Sequence, residues 1–175
     1  MTSTALFIGR FQPFHEGHLS VVKRALRDND FLLIGIGSAE EDYLPDNPFT
    51  AGERWEMIRA ALDEAHISKD RYAILPVRNI NHYSLWVEHV ATLLPSFQVV
   101  YTGSPIVKEL FMRHGVYEIK EVDFKVKISA KEIRKTMKEG GNWKKHLSAS
   151  VSEKIKDLRG IERIQSIAES LENPS

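Results

Sequence analysis

Short apolar runs alternate with segments of helical period along most of the chain. Residues 5–8 are apolar and end at Gly9; Leu19, Val22 and Leu26 then recur at helical spacing. Residues 31–36 are continuously apolar, the pattern of a strand covered on both faces. Thr50-Ala51-Gly52-Glu53 has the spacing of a capping box, and Trp55, Ile58, Ala61 and Leu62 mark the amphipathic helix it opens. A third strand is predicted over 72–77, with Pro76 placed near its end because proline cannot donate to a ladder. Residues 85–94 read as a helix stopped by Pro95, and residues 97–102 as a fourth strand. Pro105 opens a helix with Val107, Leu110 and Phe111 on its apolar face, and residues 116–122 hold a fifth strand.

This alternation predicts an α/β fold: a Rossmann-like, doubly wound, five-stranded parallel sheet with helices on both faces and further helices at the C-terminus. Those last helices are signalled by two more capping-box candidates, Ser129-Ala130-Lys131-Glu132 and Ser150-Val151-Ser152-Glu153. Gly140-Gly141 and Gly160 separate them. The reading is a single domain over 1–175, with its core over about 4–125 and the helical part over about 129–170.

Composition narrows the function. A chain of 175 residues suits one domain with a substantial core. Lys plus Arg and Asp plus Glu both number 24, so a globally basic nucleic-acid binder is a poor reading. The absence of Cys excludes disulfide frameworks, thiolate zinc sites and cysteine nucleophiles together. Residues 31–36 are too short a run to cross a bilayer, and the N-terminal segment lacks the pattern of a signal peptide. The expectation is a soluble cytoplasmic protein with no membrane and no nucleic-acid partner. Charge is nevertheless uneven. Residues 40–64 carry eight acids against Arg54 and Arg59, while residues 119–145 carry nine Lys or Arg against four acids. Most of these charges read as solvated helix faces, with a positive face beside a phosphate site as the alternative for the second block.

The chemistry concentrates in Gly9-Arg10-Phe11-Gln12-Pro13-Phe14-His15-Glu16-Gly17-His18, where the first strand hands over to the first helix. Parallel α/β sheets present ligands to a helix N-terminus at that place. Gly9 and Gly17 allow close backbone approach, and His15 and His18 converge from the loop and the first helical turn. Neutral imidazoles beside a helix N-terminus have depressed pKa values, and their N–H groups donate to phosphate oxygens. Three readings of the pair stand: one packed and one exposed histidine, a metal pair, or a phosphate-binding pair. The third also accounts for Gly9, Arg10 and Gly17.

GRFQPFHEGH resembles the HxGH motif of the nucleotidyltransferase superfamily that includes class I aminoacyl-tRNA synthetases, and its longer form resembles nicotinamide-nucleotide adenylyltransferases of the archaeal type. Ile128-Ser129-Ala130-Lys131-Glu132-Ile133-Arg134 is similar to the superfamily's Ser-x-x-x-Ile-Arg motif, and GIGSAEE, NPFTAGER, SLWVEH and YTGSP follow the same family in order. The likeness spans roughly residues 5–165. Ser129 as N-cap also turns backbone amides toward a ligand, and Arg134 follows a turn later with the side chain best suited to bidentate phosphate contact.

The resemblance implies adenylyl transfer from ATP to nicotinamide mononucleotide, giving NAD and pyrophosphate without a protein nucleophile. It implies His15, His18 and Arg134 as catalytic groups, and ATP contacts from Gly9, Arg10, Phe11, Gln12, Gly17, Thr102, Gly103, Ser129 and Lys131. Acceptor contacts fall to Phe11, Ser38, Ala39, Trp86 and Phe124, although an aromatic at helical spacing such as Trp86 is more often core. Mg²⁺ is implied as an ion carried largely by ATP phosphates, with no protein metal ligand. A homo-oligomer is implied, a hexamer among its forms. No hydrolase domain of the Nudix kind is expected. Lys131 stands where a small hydroxyl residue is expected, Tyr83 where many relatives have Asn, and Tyr43 where many have His; residues 44–47 lack an arginine that some relatives place there. The alternatives are transfer to another phosphate acceptor, such as FMN or phosphopantetheine, and a non-catalytic nucleotide sensor.

Overall fold

The computed structural model describes residues 3–122 and 129–172. Its centre is a five-stranded, all-parallel sheet: β1 (Thr4–Gly9), β2 (Phe31–Ile36), β3 (Tyr72–Pro76), β4 (Val99–Thr102) and β5 (Glu118–Glu121). The spatial order is β3-β2-β1-β4-β5. β1 therefore lies between strands reached by oppositely directed crossovers, and the crevice beyond the carboxyl ends of β1 and β4 is the topological switch point.

Alternate residues of β1 serve two cores. Ala5 and Phe7 join a cluster with α1 (Glu16–Asp28), α2 (Ala51–Glu64), α5 (Ala130–Lys138), α6 (Ala149–Asp157) and α7 (Gly160–Glu172). Leu6 and Ile8 join a second cluster with α3 (Tyr83–Leu93) and α4 (Pro105–His114). The period-2 pleat thus sets the two-sided burial that a continuous apolar run predicts.

Caps settle most helix starts. Thr50 and Glu53 exchange bonds as a reciprocal capping box on α2, and Ser104 caps α4 with Pro105 at its first position. Ser129 caps α5 by accepting from the Glu132 amide. The box expected at Ser150-Val151-Ser152-Glu153 is two residues off: Ser148 caps α6, while the Ser150 amide donates to Glu64 of α2 at 2.8 Å. A long-range carboxylate claims Ser150, and the serine two residues earlier takes the cap. Gly160 likewise begins α7 instead of lying between helices; a Cβ there would stand 2.8 Å from the Phe49 ring. The fifth strand is shorter than the predicted 116–122, and α3 starts at Tyr83, two residues early.

Candidate active site

The chain leaves β1 through Arg10–Phe14 and enters α1 at His15, the N-cap. His15 and His18 occupy Ncap and N3 and act as a capping box built from two imidazoles. The His18 amide donates to His15 Nδ1 at 3.4 Å, and the His15 amide donates to His18 Nδ1 at 3.2 Å. The rings stack, their centroids 3.6 Å apart. Because both Nδ1 atoms accept, both rings carry their proton on Nε2, so each presents an N–H donor at its far edge.

Burial keeps both neutral. It lowers His15 to about 4, with His146 a secondary cause, and it pushes His18 well below the usual imidazole value, with His15 secondary. The depressed values expected from the helix N-terminus therefore arise first from desolvation. Phe11 stands edge-on to His18 at 4.9 Å and Phe14 packs against it at 5.4 Å, supplying the apolar wall.

The other predicted residues separate into groups. Gly9, Arg10, Ser38 and Trp86 line one cavity of about 150 Å³ at the carboxyl ends of β1 and β2, together with Arg78 and Asn79. Trp86 also packs edge-to-face on Phe111, so it serves the core and the cavity at once. Ser129 lines a second cavity of about 360 Å³ with Lys145 and His146, neither of which the motifs single out. Lys131 and Arg134 line a third, of about 330 Å³, between α5 and α7. Thr102 ends β4 with its hydroxyl accepting from the Ser104 amide, and Thr102 and Gly103 lie outside these three cavities. Gly17 is buried in the first turn of α1, and Phe124 lies outside the described residues.

Several predicted residues are engaged in holding loops. Gln12 is buried, and both ends of its amide bind the Phe49 backbone at 2.9 and 3.0 Å. Ala39 donates its amide to the Val77 carbonyl at 3.2 Å. Buried Arg134 donates to the carbonyls of Gln12 (2.9 Å) and Pro45 (3.1 Å) and to the Asp46 carboxylate (2.6 Å). Desolvation lowers its pKa, opposed by Asp46.

Sequence reasoning missed Arg54, which read as one charge among an acidic stretch. Its side chain is wholly buried and donates to the carbonyls of Arg10 (3.0 Å), Gly37 (2.8 Å), Ser38 (3.0 Å) and Thr50 (3.2 Å). The cue was its place directly after the capping-box glutamate, one turn into α2. Among the described residues, no three His, Asp or Glu side chains gather into a metal cluster.

Residues 6–136 match the family model of the cytidylyltransferase-like proteins, which defines the class. The chain is 44% identical over 170 residues to a nicotinamide-nucleotide adenylyltransferase of Pyrococcus furiosus, covering 96% of this chain and 90% of that protein. It is 45% identical over 177 residues to the enzyme so named from Archaeoglobus fulgidus, covering 94% and 97%. The chain belongs to the cytidylyltransferase-like family, and within it to the nicotinamide-nucleotide adenylyltransferases. In fold it is similar to a bifunctional NMN adenylyltransferase/ADP ribose pyrophosphatase of Francisella tularensis, solved with AMP and a manganese ion. That likeness has a TM-score of 0.79 at 24% identity and covers 98% of this chain, which spans 53% of that one.

Proposed function

We propose that this protein transfers the adenylyl group of ATP to nicotinamide mononucleotide, forming NAD and releasing pyrophosphate. The observation that carries the reading is the imidazole capping box: two neutral rings with Nε2–H donors at a helix N-terminus, entered directly from the carboxyl end of β1. The relatives' shared name supplies the reaction, and the site supplies the means. The 5′-phosphate of the acceptor attacks the α-phosphorus of ATP in line, and the bond to the pyrophosphate oxygen breaks. No proton must move and no covalent enzyme intermediate forms. Catalysis then rests on alignment of two polyanions and on donors aimed at the charge that develops.

His15 and His18 are assigned to the transferring phosphate. Arg134 uses three of its five N–H groups on Gln12, Pro45 and Asp46, which leaves one on each terminal nitrogen for a phosphate oxygen. Ser129 offers the α5 N-terminus, with Lys131 as added positive charge. Gln12 and Ala39 act through their backbone and through the loops they fix. Phe11 contributes its amide, because its ring is packed on His18. Gly9, Arg10, Ser38 and Trp86 frame the acceptor. Magnesium enters as part of the MgATP substrate, its coordination completed by phosphate and water.

Offering MgATP with nicotinamide mononucleotide, its deamidated acid, FMN or phosphopantetheine in parallel tests the acceptor. Turnover with the pyridine nucleotides is expected. Turnover confined to FMN or phosphopantetheine would move the protein to another acceptor class.

A further inference from the structure

Arg54 is a guanidinium of α2 with every hydrogen bond above spent on backbone carbonyls. Among the described residues no carboxylate pairs with it directly: Asp42, Glu40 and Glu41 act on it only as charges, and the Glu41 carbonyl accepts from it at 3.4 Å. Burying an arginine in this way is costly, so its position calls for a purpose beyond packing. The carbonyls it holds belong to two loops, one leaving β1 and one leaving β2, and both loops line the acceptor cavity through Arg10, Gly37 and Ser38.

Two of these contacts sit at unusual backbone. Phe11 has φ +52° and Ser38 φ +46°, the left-handed region that side chains other than glycine seldom adopt. Arg54 grips the carbonyl immediately before each: that of Arg10 precedes Phe11, and that of Gly37 precedes Ser38. In a trans peptide the C=O and the following N–H point in opposite directions. Drawing those two carbonyls toward α2 turns the amides of Phe11 and Ser38 away from it. α2 packs on one face of the sheet, whereas the cavity is walled by Ile8, Trp86 and Val107 on the other. Neither amide finds an acceptor among the described residues.

We propose that Arg54 is a positioning residue that fixes these two peptide planes so that the Phe11 and Ser38 amides form a pair of donors for nucleotide phosphate. The guanidinium acts without touching substrate. Lysine reproduces the effect only in part: Nη1 alone spans Arg10 and Gly37, but Nε and Nη2 hold Thr50 and Ser38 as well, and one ammonium nitrogen cannot replace all three. The inference rests on the proposed adenylyl transfer for its kinetic readout and is independent of it for its binding readout.

The test combines kinetics and amide signals in the whole protein. Arg54→Lys and Arg54→Gln, checked for folding by circular dichroism, should lower kcat/KM for nicotinamide mononucleotide at least tenfold at saturating MgATP. In the wild type, titration with inorganic phosphate and with nicotinamide mononucleotide should move the Phe11 and Ser38 amide protons downfield while the Gly115 amide stays in place. In the folded variants those movements should shrink. Wild-type kcat/KM in folded Arg54→Gln, or amides indifferent to both ligands in the wild type, would overturn the proposal. Should neither variant fold, the Arg54 guanidinium signals of the wild type decide: they must shift together with the two amides, and signals that stay fixed would contradict the coupling. A wild type that makes no NAD yet shows the amide shifts would overturn the proposed reaction and leave the role of Arg54 supported.

Discussion

His15 and His18 each do two jobs with one ring. The Nδ1 edge caps α1, and that bond assigns the proton to Nε2, the far edge of each ring. Replacing His18 by alanine therefore removes the donor proposed for phosphate and half of a helix cap. Turnover should fall about a hundredfold or more, the cost of losing one transition-state donor. Stability should fall as well, by about 1 kcal/mol for the cap and by a further amount for the packing lost against Phe11 and Phe14. Steady-state kinetics and urea unfolding measure the two separately, and near-wild-type kcat would remove His18 from the mechanism.

The same burial makes stability depend on pH. An unfolded His15 takes up its proton near 6.5, whereas the folded one resists until about 4. Between those values the unfolded state holds more protons, so stability is full above about 6.5 and declines as pH falls toward 4, by about 3 kcal/mol from this group. His18 adds to the decline with the same sign. Urea midpoints at pH 7 and pH 5 should differ by less in His15→Asn, which keeps a capping oxygen and titrates nothing. An equal difference in both proteins would place the acid sensitivity elsewhere.

At the scale of elements, arginines fasten the loops between them. Arg163 of α7 binds both carboxylate oxygens of Glu53 in α2, at 2.6 and 2.8 Å, and lies 4.5 Å from the Tyr43 ring. Both side chains are largely buried, at 12% and 16% exposure, so removing one partner strands a charge. Arg163→Met should cost about 3 kcal/mol and lower Tm by roughly 10 °C, readable by calorimetry. A shift below 2 °C, on the order of a surface pair, would contradict the geometry.

These long connections divide what the chain revealed from what it did not. The strands and most helices were legible because their signals are local: a period-2 or 3.6 pattern, a cap, a proline at the first turn. Thr50 and Glu53 are three apart, and so are His15 and His18. Arg54 meets Arg10 across 44 residues and Arg163 meets Glu53 across 110, and no pattern in a window announces such a bond. The misplaced cap at Ser150 has the same cause, since Glu64 captures its amide from 86 residues away.

At the scale of the molecule, the parallel sheet gathers the ends of β1, β2 and β4 at one edge, and the C-terminal helices close over it from the side of α1 and α2. The motif histidines, Ser38 and Trp86 were legible as candidates for that reason: strand ends at a switch point are where such sheets bind ligands. Arg134 was legible as a candidate phosphate ligand but not as the residue that ties α5 to Gln12, Pro45 and Asp46. Lys145 was legible only as one charge of a basic block and His146 not at all, because only the packing of α5 against the turn at Trp143–His146 brings them to a cavity with Ser129. No helix among the described residues is long and apolar enough to cross a membrane.

The central claim is that this assembly joins two nucleotides at the α-phosphorus of ATP. Incubating the purified protein with nicotinamide mononucleotide and MgATP labelled at the α-phosphate tests it most directly. The account predicts label in NAD and an equal molar yield of unlabelled pyrophosphate. Label retained in ATP with no pyrophosphate released, under conditions where ATP binds, would contradict it and turn the site into a nucleotide sensor.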